Sequence, residues 1–356
     1  TPSNSSAASD VYKRQIKVFG AWRDNIVRIL VTGATGFIGR HLVNALLKED
    51  KYDIVVMYRN SEKVKELEKL GIETRYGDLS EIKTLDNITK DVDVVIHLAT
   101  LMRFHAKWEK LYMQNVVATK VIAEDAMKNG VDYFIYTSST EAIGPVKTIP
   151  ADETHPYNPD YTYGISKMMA EKILNKFHEE NGFPVTILRP TGVYGPGDLY
   201  VTYSVLKAIA NGKMKYLPGK GDKYVHFTYV EDVIQGFIKA LENRSAAIGE
   251  TFIIASDEYF TYKDAFTIMA ELLGAPPPEK SIPVPLAKVL IWFVETANKI
   301  KRVNDFVMHT SVVRDMTKNR AYSNKKAKEK LGFSPKYSFR EGMKITIGWY
   351  QQQNLI

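Results

Sequence analysis

The chain of 356 residues contains no cysteine. That excludes a disulfide scaffold, a cysteine nucleophile, a thiolate zinc site and an iron–sulfur cluster. Its seven histidines are scattered, with no His-x-x-x-His pair, so no metal site is expected. Long apolar runs are also missing. The most apolar stretch, Val284–Val294 (VPLAKVLIWFV), is interrupted by Lys288. It falls short of the ~20 residues needed to span a bilayer. The expectation is a helix packed inside a smaller domain, with no integral membrane span; the alternative is a membrane-surface or oligomer contact. No basic cluster alternates with stacking aromatics, so the formal net charge of +7 does not point to nucleic acid. No signal peptide is evident, and a cytoplasmic protein is expected.

What is present is ordinary for a globular chain: 45% hydrophobic and 25% charged residues, enough for a sizeable core. Residues 1–26 are set apart. Ser5–Gln15, SSAASDVYKRQ, resembles the translated read-through of a sequencing-library adapter, and the segment has no apolar periodicity. It reads as a non-native or disordered extension, with a start near Val27.

From there, short apolar runs alternate with amphipathic stretches. Strands are expected at Val27–Thr32, Asp53–Tyr58, Ile72–Tyr76, Asp93–His97, Asp132–Thr137 and Val185–Leu188. Helices are expected at Phe37–Lys48, Glu62–Leu70, Trp108–Lys128 and Tyr161–Glu180. This rhythm predicts an α/β fold, a Rossmann-type doubly wound parallel sheet. The rhythm changes after Pro190. Val230–Leu241 and Thr251–Ala255 read as one more helix and strand of the sheet, and Thr261–Leu273, Lys325–Leu331 and Phe339–Tyr350 as helices. The expected division is a nucleotide-binding domain over 27–190, to which 224–256 partly returns. Residues 191–356 then form mostly a smaller, mixed substrate domain.

The segment Thr32-Gly33-Ala34-Thr35-Gly36-Phe37-Ile38-Gly39 joins a strand to a helix. Gly33 permits the tight turn, Gly36 lets backbone N–H groups reach a pyrophosphate, and Gly39 lets the helix lie close to the sheet. The helix N-terminus turns partial positive charge toward the phosphates. Strand two ends in Tyr58-Arg59-Asn60-Ser61, without the carboxylate that would accept from ribose hydroxyls. Arg59 can pair with a 2′-phosphate and Ser61 can hydrogen-bond to it, so NADP is favoured over NAD. Asp78, before Leu79, is placed to accept from the adenine amino group or to cap the segment that follows. Ala99, after His97-Leu98, leaves room for the cofactor.

Tyr163-Gly164-Ile165-Ser166-Lys167 is the catalytic candidate. At i and i+4 the phenol and ammonium share a helix face. A nearby cation is expected to lower the phenol's pKa and make it a usable proton donor and acceptor. The spacing alone is uninformative, because Tyr203/Lys207, Tyr216/Lys220, Tyr259/Lys263 and Tyr322/Lys326 share it. Context selects Tyr163: it opens a helix one loop after the strand ending Thr137-Ser138-Ser139-Thr140. Ser139 can donate to a substrate oxygen as the tyrosine proton moves.

In order and spacing, TGATGFIG, GDL, HLAT, TSST, YGISK, LRPTGVYGPG and YVEDV, with Asn115-Val116 before Ala118-Thr119, resemble the extended short-chain dehydrogenase/reductase family over about residues 27–245. The tail, Lys325–Met343, is also similar to the family's C-terminal end. The resemblance implies a Ser139, Tyr163, Lys167 triad, with Asn115 as a fourth member shaping the site and its proton relay. It also implies Pro190 near the nicotinamide. Nucleotide-sugar epimerases carry an Arg-x-Phe segment where this chain has Val225-His226-Phe227. Sugar dehydratases carry Thr-Asp-Glu where it has Ser139-Thr140-Glu141. Arg59, His97–Val116 and Pro283–Glu295 resemble the dihydroflavonol reductase and 3β-hydroxysteroid dehydrogenase branches more closely.

The resulting expectation is an NAD(P)-dependent oxidoreductase acting on a secondary alcohol or ketone. The loops around Arg103, Glu141, Thr191–Tyr194 and Tyr200–Tyr203 would set the substrate, and a homodimer would form through residues 108–128 and 161–180. The alternatives are a nucleotide-sugar epimerase with tightly held NAD and a non-catalytic NADP-sensing regulator.

Overall fold

The computed structural model describes residues 26–103, 106–301 and 309–356. The postulated extension, 1–26, lies outside the described residues except for Ile26.

Seven strands form the central sheet: β1 (Val27–Thr32), β2 (Tyr52–Tyr58), β3 (Glu73–Tyr76), β4 (Val94–His97), β5 (Tyr133–Thr137), β6 (Val185–Pro190) and β7 (Thr251–Ile254). Their order is β3-β2-β1-β4-β5-β6-β7, and every neighbouring pair is parallel. The central strands β4, β5 and β6 are buried at every position, as a sheet covered on both faces requires. β3, at the edge, reads ETRY and is charged and partly exposed, which discourages pairing with another chain.

The crossovers build two helical layers. On one face, Leu42 and Val43 of α1 (Phe37–Leu46) meet Val233 and Phe237, residues of the later helix Val230–Glu242. On the other face, Ile122 and Ala126 of the helix over 108–128 (α3) meet Ala170 and Leu174 of α4 (Thr162–Asn181). The short helix α2 (Ser61–Lys69) follows β2. Each buried leucine or phenylalanine in these layers contributes roughly 1.5–3 kcal/mol.

α3 is not uniform. Trp108–Leu111 and Ala118–Lys128 are α-helical, but Tyr112–Val117 between them is a π-turn. Such turns insert a residue and re-aim side chains, and are frequent at functional sites. Asn115 sits in this one.

The C-terminal part has its own core. Leu206 of α5 (Val201–Ala210), Phe266 and Met269 of Tyr262–Leu273, and Phe339, Met343 and Tyr350 of Phe339–Gln352 pack together. The helix Val230–Glu242 (α6), the helix Tyr262–Leu273 (α7) and the helix Val284–Lys301 (α8) follow in chain order. The last of these overturns an expectation. Of its apolar run only Ala287 is buried, while Leu286, Val289, Leu290, Trp292 and Phe293 are 47–61% exposed. Apolar composition specifies a non-aqueous neighbour, and the described chain does not supply one on that side. No helix among the described residues is long and apolar enough to cross a membrane.

Candidate active site

β1 and β4 are neighbours, but their outgoing connections lead to opposite halves of the sheet, which opens a crevice beyond their C-terminal ends. A cavity of about 620 Å³ fills it, a size suited to a small-molecule ligand.

One end is the glycine turn. Gly33 has φ +72°, and a Cβ there would lie 2.8 Å from Ala99 N. A Cβ on Gly39 would lie 2.2 Å from the Gly33 carbonyl oxygen. Only glycine allows this turn and this closeness of helix to strand. Gly36 is the N-cap of α1, whose first turn holds no acidic residue, so its free N–H groups and dipole remain available to an anion. Thr35, Gly36, Phe37 and Ile38 all line the cavity. Arg59, Asn60, Lys63, Asp78, Leu79 and Ala99 extend this wall.

Two details differ from expectation. Ser61 opens α2 and does not line the cavity. The second cation on this wall is Lys63, four residues after Arg59 on the first turn of α2. Asp78 is buried and its Oδ1 accepts from Ser80 N and Ser80 Oγ, each at 2.8 Å. Its other oxygen stands 3.9 Å from Arg59 Nε. Asp78 thus closes a turn through Ser80 and lines the cavity.

The other end holds Ser139, Tyr163 and Lys167. Ser139 follows β5 and its Oγ accepts from Glu141 N at 3.2 Å, leaving its own proton to donate. Lys167 is 2% exposed, and its Nζ donates to Thr137 O at 2.7 Å. The ammonium lies 5.9 Å from the Tyr163 ring centroid and 4.8 Å from that of Tyr136. Burial lowers Lys167 to about 7, against the pull of Glu171. The Tyr163 phenol is shifted the opposite way from the sequence expectation. Burial, followed by the field of Glu141, raises it above its ordinary value. Desolvation of the phenolate outweighs what a buried, weakened ammonium provides. Thr137 Oγ1, buried on the same wall, has no hydrogen-bond partner within the described chain.

Asn115 is buried and does not line the cavity. Its Oδ1 accepts from Leu101 N at 2.7 Å and Thr100 Oγ1 at 3.0 Å, and its Nδ2 donates to Leu101 O and Ser166 Oγ. Ser166 Oγ in turn donates to Tyr163 O at 2.7 Å. Asn115 thus ties the strand-four loop to the backbone of the Tyr163 turn.

The remaining wall is formed by Leu101, Met102, Gln114, Tyr161, Pro190–Val193, Asp198, Val201, Thr202 and Phe227. Behind it lies an ionic cluster that no local signal announced. Arg320 Nε pairs with Glu141 at 3.1 Å and its Nη2 with Asp160 at 2.9 Å. Arg314 and Lys318 also reach Asp160, and Asp315 pairs with Arg314 and Arg320. His226, which aligns with the epimerase arginine segment, is buried on Ser256 O and on Tyr322 N, and burial holds it neutral at about 4.

The family model for NAD-dependent epimerases/dehydratases matches residues 29–255. The chain belongs to that family. It is an enzyme of the extended short-chain dehydrogenase/reductase type, with the Rossmann fold. It is 30% identical to 3beta-hydroxysteroid-dehydrogenase/decarboxylase isoform 1 of Arabidopsis thaliana over 343 residues, covering 89% of this chain and 78% of the relative. It is 29% identical to dTDP-D-glucose 4,6-dehydratase of Mus musculus over 345 residues, covering 91% and 89%. The crystal structure of gox2253 superposes with a TM-score of 0.77 at 27% identity, covering 93% of this chain and all of that one.

Proposed function

We propose that this family member is an NAD(P)-dependent dehydrogenase/reductase that interconverts a secondary alcohol and its ketone. One observation carries the reading: a single cavity joins the glycine turn to a hydroxyl, a phenol and an ammonium. The tight turn and close helix–strand packing that Gly33 and Gly39 allow, the open α1 N-terminus and the unpartnered Thr137 Oγ1 fit a dinucleotide. Gly33–Gly39 would hold its pyrophosphate, Asp78 and Leu79 its adenine end, and Ala99 and Pro190 its nicotinamide end. When bound, the dinucleotide supplies or accepts the hydride.

The chain's own residues manage the proton. Tyr163, kept neutral by burial, gives its hydroxyl proton to the carbonyl oxygen in the reducing direction. Ser139, oriented by the Glu141 N–H, donates a hydrogen bond to the same oxygen. Lys167, anchored on Thr137 O, favours the phenolate left on Tyr163. Asn115 and Ser166 fix the backbone that carries the phenol.

The substrate end favours an apolar, unphosphorylated alcohol. The Lys and Arg residues lining the cavity, among those described, are Arg59, Lys63 and Lys167. The first two stand on the strand-two wall and the third is committed to Thr137. Arg320 is consumed by Glu141 and Asp160. That end is lined by Met102, Val193, Val201 and Phe227 together with Gln114, Asp198 and Thr202, and among the described residues no free guanidinium faces it. Similarity to a relative named for a hydroxysteroid agrees with this choice.

Tyr163→Phe is the test. Turnover of a cyclic secondary alcohol or sterol should fall by at least about 10³-fold, with cofactor affinity within threefold. Full turnover in this variant refutes the assignment. A wild-type protein that purifies with bound NAD and interconverts nucleotide sugars without added cofactor would establish the epimerase reading instead. Arg59 and Lys63 support NADP: Arg59→Ala should weaken NADP binding by roughly tenfold or more while leaving NAD binding unchanged. Equal loss for both cofactors would remove the preference.

A further inference from the structure

We propose that α8 and the strand pair leading into it form a peripheral docking surface for anionic lipid headgroups. Leu286, Val289, Leu290 and Phe293 follow i, i+3, i+4, i+7 spacing and share one face. All four are exposed, as are Trp292 (56%) and Val294 (40%). The opposite face meets the protein: Ala287 is buried, and Glu295 accepts from Thr310 N and Thr310 Oγ1 and pairs with His309 at 2.9 Å. The helix is therefore amphipathic in reverse, with its acid turned inward and its apolar stripe outward.

The surroundings are cationic. Lys280–Ile282 pairs with Tyr216–Pro218, and a Cβ on Gly219 would touch Val284 at 3.3 Å, so this strand pair abuts the start of α8. Lys213, Lys215, Lys220 and Lys280 are exposed there, and Lys288 is exposed on α8 on the side away from the stripe. Among the described residues the exposed acids nearby include Glu279, Asp222 and Asp264, and Asp222 is paired with Lys223. Tyr216 adds a half-exposed ring beneath Lys280. An apolar stripe bearing Trp and Phe, rimmed by lysines, matches the boundary between lipid headgroups and acyl chains.

A second copy of the chain fits less well. The six exposed apolar residues of α8 fall well short of the roughly 20–30 residues a side of a stable interface. A two-fold contact would also set these lysines against one another.

The experiment is flotation of the full chain with vesicles of phosphatidylcholine, with and without phosphatidylglycerol. Wild type should float with the phosphatidylglycerol vesicles, release at high salt, and show a blue-shifted emission that Trp292→Phe removes. Leu290→Glu combined with Phe293→Glu should cut the bound fraction at least about tenfold. Because both residues face outward, thermal stability and cofactor binding should be retained. Lys220→Glu with Lys280→Glu should cut binding several-fold on the anionic vesicles. Failure to float on either vesicle, or undiminished flotation of the Leu290/Phe293 variant, overturns the proposal. So does a wild-type dimer that fails to float and that the Leu290/Phe293 variant dissociates; that result would assign the stripe to a second copy.

Discussion

Tyr203 and Lys207 on α5 share their i, i+4 spacing with Tyr163 and Lys167 on α4. On α5 the two groups meet directly: Lys207 Nζ donates to Tyr203 Oη at 2.6 Å, on an exposed surface. On α4 the ammonium is withdrawn from water, held by Thr137 O, and set 5.9 Å from the phenol ring. Direct contact in water gains little, because solvent screens the charge and competes for each hydrogen bond. Burial of a cation with a fixed third partner changes what that cation does. The second pair also lines the cavity of the glycine turn, and the first does not line it.

Substitution can sharpen this contrast. The largest difference is expected at the lysines: Lys167→Met should lower turnover by about 10²-fold or more, whereas Lys207→Met should leave it within twofold. Comparable losses in the two variants would erase the distinction. A smaller effect concerns stability. The folded protein lowers Lys167 from 10.5 to about 7. Below pH 7 both folded and unfolded chains hold the proton, and the folded state bears the full cost of a buried ammonium. Between about 7 and 10.5 only the unfolded chain keeps the proton, so this contribution makes stability rise with pH. Lys167→Met should therefore raise the Tm of the cofactor-free protein at pH 6, and the gain should shrink toward pH 10. A pH-independent Tm difference would contradict the buried-cation account. The smallest effect is Tyr203→Phe, which should cost less than about 1 kcal/mol in denaturant unfolding and nothing in turnover.

The sheet was legible because its strands are short, apolar and punctuated by glycine, and the glycine turn because Gly33 and Gly39 answer to steric limits of a few ångströms. That Ser139, Tyr163 and Lys167 would line one cavity was legible through position: Ser139 follows a strand end, and Tyr163 and Lys167 stand in the first turns of the next helix. Other parts had no local signature. The π-turn that seats Asn115 depends on tertiary hydrogen bonds to Leu101 and Ser166. Arg320 reaches Glu141 across 179 residues of chain. The direction of the Tyr163 shift follows from desolvation, which spacing does not encode. On α8 the pattern showed a preference for apolar surroundings, but the inward face is set by Ala287 and Glu295, which no hydropathy scale would choose.

Arg320 also bears on the order in which the protein is made. A ribosome delivers β1 through β6, together with Glu141 and Asp160, well before the arginine that compensates those two carboxylates. Acids drawn from water without their cation are costly. Glu141 therefore waits for its cation until nearly the whole polypeptide has emerged, and a chain cut short before residue 320 would leave that carboxylate uncompensated at the edge of the cavity, while Asp160 would keep Arg314 and Lys318.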